Sequence, residues 1–61
     1  MMETTIKEFH LNDSNVVELV RNEEYSDYVV RYLANRKFGS RVFSTLESAE
    51  KFYKEKLDTI K

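Results

Sequence analysis

Residues 28–57 read YVVRYLANRKFGSRVFSTLESAEKFYKEKL, and their reading decides the fold. Tyr28-Val29-Val30-Arg31-Tyr32-Leu33 is β-branched and aromatic, suited to a pleated surface and restricted at χ1 in a helix. Ala34 to Gly39 form a basic turn that holds the chain's single glycine. Gly39 is the residue best able to take φ > 0, with Asn35 next. Ser40-Arg41-Val42-Phe43 then reads as a short strand, and its brevity suits an edge. Ser44-Thr45-Leu46-Glu47 matches a capping box, with Ser44 or, one residue later, Thr45 as the cap. Leu46, Ala49, Tyr53, Leu57 and Ile60 follow at steps of three and four, with Phe52 beside them, predicting an amphipathic helix to about Asp58. On its far side Glu47–Lys51, Glu50–Lys54 and Lys51–Glu55 are spaced for i,i+4 pairing.

Upstream, Val16-Val17-Glu18-Leu19-Val20-Arg21 is a second strand-like run, separated from the first by the polar interval 22–27. Setting Asn22 opposite Asp27 around a four-residue loop puts Glu18 against Arg31, Leu19 against Val30 and Val17 against Tyr32. Opposite charges then share one face and apolar pairs the other, a sorting that one residue of slip destroys. A helix capped by Ser14 and carrying Val16, Leu19 and Val20 is the competing reading, and the valine and tyrosine density opposes it. Residues 1–14 are either an additional short strand around Thr4 to Leu11, ended by the turn formers Asn12-Asp13-Ser14-Asn15, or a loosely ordered arm.

The fold class is therefore α+β: one domain over residues 1–61, an antiparallel meander of three or four strands, and one C-terminal helix packed on one face. Val17, Leu19, Tyr28, Val30, Tyr32 and Val42 are expected to meet the helix. Val16, Val20, Val29, Leu33 and Phe43 are expected on the other face, with Glu18, Arg31 and Arg41. That face is too apolar to stay bare in water, so residues 1–11, a second copy or a partner protein should cover it. Val20, Val29, Leu33 and Phe43 are accordingly the candidate partner-binding residues.

Sixty-one residues form at most one small core, burying about 60% of the surface the unfolded chain exposes. With 34% charged and 41% hydrophobic residues, the chain is too apolar for a disordered segment. The absence of cysteine excludes disulfides and thiolate metal sites. No apolar run is long enough to span a bilayer, and the N-terminal residues lack the basic and apolar blocks of a signal peptide, so a cytoplasmic location is expected.

The lone histidine, His10, has no visible catalytic or metal-binding company. Glu23, Glu24 and Asp27 crowd one turn without the ligand spacing of a calcium loop. A domain this small offers little room for a concave substrate pocket, and the chain reads as non-enzymatic, with no cofactor and no small-molecule substrate.

Charge is unevenly placed. Residues 1–27 hold seven acids against Lys7 and Arg21, whereas residues 28–46 hold Arg31, Arg36, Lys37 and Arg41 and no acid. Those four cations, interleaved with Tyr28, Tyr32 and Phe38, are the nucleic-acid-binding candidates. An aromatic strand with arginine, a glycine turn and Phe43-x-Thr45-x-x-x-Ala49 opening the helix is similar to the sheet-and-helix DNA-binding modules at the amino end of some tyrosine integrases, related to the plant AP2 domain. The likeness covers about half the chain and implies DNA binding; the acidic balance and the lack of tryptophan depart from it. The leading expectation is a small protein–protein interaction module, acting through its apolar sheet face or as a homodimer, of a size that suits a phage or mobile-element accessory protein. Nucleic-acid binding through the turn at Arg36-Lys37 is the alternative.

Overall fold

The structure, a computed structural model, describes residues 2–60. Four strands follow one another in the chain and in space: β1 (Glu3–Asn12), β2 (Asn15–Asn22), β3 (Asp27–Ala34) and β4 (Lys37–Phe43), all antiparallel, before helix α1 (Leu46–Ile60). The β2–β3 register is the one the charge and apolar sorting demands. Asn22 faces Asp27, Glu18 faces Arg31, Leu19 faces Val30 and Val17 faces Tyr32. The Asn22 Oδ1 accepts the Glu24 N–H at 3.0 Å and shapes the loop, which ends with Ser26 at φ 56°.

Residues 3–12 neither cover a face nor hang free. β1 extends the sheet beside β2, with register irregularities between Thr5 and Lys7 and between His10 and Asn12. At its turn into β2, Asn12 Oδ1 accepts the Ser14 N–H at 2.8 Å.

The helix lies over β2 and β3, sealing Val17, Leu19 and Val30 against Ala49 and Tyr53. Tyr28, Tyr32, Phe43, Phe52, Leu57 and Ile60 pack around this core. Its cap is Thr45: the Ser48 N–H donates to Thr45 Oγ1 at 3.3 Å, and the Thr45 hydroxyl donates to Ser48 Oγ at 3.0 Å. Glu47, the expected partner of a Ser44 cap, is not part of it. Among the described residues no ion pair closes along the helix, and Glu50 instead reaches across to Lys7 of β1 at 2.9 Å.

The second turn corrects two expectations. Ala34 pairs with Lys37, so the loop is only Asn35-Arg36, both left-handed at φ 51° and 68°, the geometry of a two-residue hairpin turn. Gly39 lies inside β4 with no positive φ. It is glycine for another reason: a Cβ there would sit 2.5 Å from the Tyr32 ring, which lies across it. Because β4 starts at Lys37 and pairs in this register, Phe43 stands beside Tyr28 on the helix side, its ring centroid 5.3 Å from that of Phe52. Val42 faces Val29 on the opposite side. The expected places of Val42 and Phe43 are thus exchanged, and Arg41 moves to the helix side with Phe43.

Candidate functional site

Strand register arranges the face away from the helix in rows, since residues paired across antiparallel strands share a face. One row runs His10, Val16, Leu33, Phe38; the next Glu8, Glu18, Arg31, Ser40; the third Thr5, Val20, Val29, Val42. No element of the described chain lies over them. Two apolar patches result, divided by a charged band.

That band itself covers part of the apolar surface expected to need residues 1–11, a second copy or a partner over it. Arg31 donates from Nε to Glu18 Oε1 at 2.9 Å and from Nη2 to Glu3 Oε1 at 2.9 Å. Glu3 lies beside Asn22, so the path from Arg31 to Glu3 crosses β2 at Val20. Val20 is only 1% exposed, beneath the arginine stem and its ion pairs. The Glu3 hydrogen bond holds the Arg31 guanidinium above its ordinary pKa, against the opposing effect of burial, with the Glu18 charge assisting.

The rest of the face is open. Phe38 is 73% and Val42 60% exposed, and Val29 and Leu33 are half-buried. Val16, Leu33 and Phe38, with Glu18, Arg31 and Tyr32, line a shallow groove of about 440 Å³. Of the four residues expected to bind a partner, Val29 and Leu33 keep their place, Val20 is buried and Phe43 belongs to the helix side. Phe38 and Val42 were missed. The signal for them lay in Asn35, which marks the first position of a tight hairpin turn and so starts β4 before Phe38.

The four candidate nucleic-acid cations are not brought together. Arg31 is held between two carboxylates on the open face. Arg41 lies on the helix side, its guanidinium 5.7 Å from the Phe43 and 5.5 Å from the Phe52 ring centroid. Arg36 and Lys37 remain exposed at the β3–β4 turn. His10 is exposed, 3.8 Å from Glu8. Among the described residues no three His, Cys, Asp or Glu side chains converge as metal ligands, and no helix is long and apolar enough to cross a membrane. Comparison with protein families, with curated proteins and with solved structures finds no match.

Proposed function

We propose that this chain is a small non-catalytic protein–protein interaction module that binds through its open sheet face. The supporting observation is the exposure of Phe38 and Val42 beside Val16, Val29 and Leu33 on a face that no element of the described residues covers. Burying apolar surface is worth about 25 cal/mol per Å², which a 61-residue domain gives up here for its own folding and keeps for association. Glu3, Glu8 and Glu18 outnumber Arg31 on this face. The fitting partner is therefore an apolar protein surface flanked by lysine or arginine. A cytoplasmic setting suits a chain without cysteine.

The test compares three immobilised proteins: wild type, Phe38→Ser/Val42→Ser, and a control altered on the outer side of the helix, Glu47→Ser/Lys54→Ser. A protein kept by wild type and control but lost with the face variant is the expected result. Equal retention by all three overturns the reading.

A second reading rests on Arg36. A bulky side chain held at φ 68° and exposed beside Lys37 is a strained cation at a turn tip, which suits contact with nucleic-acid phosphate. Arg36→Ala/Lys37→Ala should then weaken binding to mixed-sequence DNA or RNA and flatten its salt dependence. Absence of any retardation of wild type at low salt removes this reading.

A further inference from the structure

The two edges of the sheet are unlike. β1 is interrupted twice, and irregularities of this kind keep a foreign strand from pairing. β4 pairs with β3 residue for residue from Lys37 to Phe43, and its outer side has no neighbouring strand among the described residues. The Asn35-Arg36 turn makes Ala34 and Lys37 a hydrogen-bonded pair. Alternation then directs the backbone groups of Gly39, Arg41 and Phe43 inward to β3. Those of Phe38, Ser40 and Val42 point outward. The outward-bonding residues are the same ones whose side chains stand on the open face.

We infer that two copies of the chain join along β4, antiparallel about a two-fold axis at Ser40, merging two four-stranded sheets into one of eight. In this register Phe38 faces Val42 of the second copy and Ser40 faces its own counterpart. Every outward N–H and C=O of these three residues is then paired. Strand length and charge select the register: an axis at Phe38 or Val42 would leave only three residues of β4 opposite one another. Moving the axis to Gly39 sets Lys37 against Arg41 of the other copy, and moving it to Arg41 sets that arginine against itself. About Ser40, Arg41 meets glycine and Lys37 meets Phe43. A half-residue shift would place opposite faces together and is excluded by the pleat. The join makes the two open faces continuous, so it rests on the interaction reading for its use but concerns the edge alone. The contact is small, hence weak and concentration-dependent. On the helix side the only charged side chains it gathers from β4 are Lys37 and Arg41 of each copy, so added salt should favour the dimer.

Sedimentation equilibrium of the full chain from about 10 µM to 1 mM should show the mass rising from monomer toward dimer. Ser40→Pro removes an outward N–H and no bond to β3, so it should keep the circular dichroism of wild type and stay monomeric. Ser40→Cys, in a chain with no other cysteine, tests the register without disturbing it. It should oxidise to a disulfide-linked dimer at least ten-fold faster than Val42→Cys, whose counterpart lies four residues away along the strand. Wild type monomeric throughout, a Ser40→Pro dimer as strong as wild type, or equal cross-linking of the two cysteine variants each overturns the inference. Ser40→Pro also separates the two proposals, because it spares the side chains of the open face.

Discussion

Arg36 at φ 68° follows Asn35 at φ 51°, and of the two only the asparagine tolerates the left-handed region readily. Glycine at position 36 would relieve a Cβ clash of about 1–2 kcal/mol, partly offset by the freedom it adds to the unfolded chain. Arg36→Gly should therefore stabilise the protein by about 0.5–1 kcal/mol in urea melts. Gly39 behaves oppositely. The Tyr32 ring across it is fixed by Phe52, 5.8 Å away between centroids, and by the Lys56 ammonium 4.4 Å from its own centroid. Gly39→Ala should cost about 1–3 kcal/mol, and most of that should vanish in a Tyr32→Leu background, which a double-mutant cycle reads. The sequence marks Gly39 as special without showing why. Glycine's licence for positive φ is visible in one letter, whereas a ring lying over it comes from the partner strand. Tyr53 carries a pH signature. Burial raises its phenol pKa, with Lys7 opposing and Glu8 assisting. The unfolded chain then releases this proton first, so stability falls as pH climbs past the ordinary tyrosine value of about 10 and levels off above the folded one. Tyr53→Phe should flatten that part of the alkaline loss.

At the scale of elements, legibility followed the number of independent constraints. β2 and β3 were readable in register because Glu18–Arg31 and two apolar pairs agree on a single alignment. The helix stripe was readable from its period, and Ala49 and Tyr53 are indeed its buried centre. Its start had two candidates one residue apart, and the Ser48 N–H bonds to Thr45. Thr45→Ala should lower stability by about 1 kcal/mol while Ser44→Ala stays near zero, a comparison thermal melts can make. β4 is the element whose sequence misleads. Assigning the turn to glycine lengthens it through Gly39, whereas the strand begins at Lys37, and the resulting register puts Val42 and Phe43 on each other's faces. The Glu3 arm of the Glu3–Arg31–Glu18 bridge was hidden for a different reason, since it comes from a residue of β1 whose course was open.

For the whole molecule, a four-stranded sheet with one helix leaves half its surface without a second layer. The chain answers this partly with its own charged side chains over Val20 and otherwise leaves the face wet. Exposed side chains contribute little to folding, so Phe38→Ser/Val42→Ser should unfold within about 1 kcal/mol of wild type at micromolar concentration. A larger loss would mean these positions serve the core. Both proposals depend on one structural claim: the β4 register sets Phe38, Ser40 and Val42 on the open face with their amides outward. Hydrogen exchange of dilute protein tests it residue by residue. The amides of Gly39, Arg41 and Phe43 should be slowed by about 10²–10⁴-fold, as ~3–5 kcal/mol of stability allows, while those of Phe38, Ser40 and Val42 exchange near the free-peptide rate. The reverse alternation would contradict the account, because a strand turned by one residue would carry Phe43 to the open face and Val42 to the core.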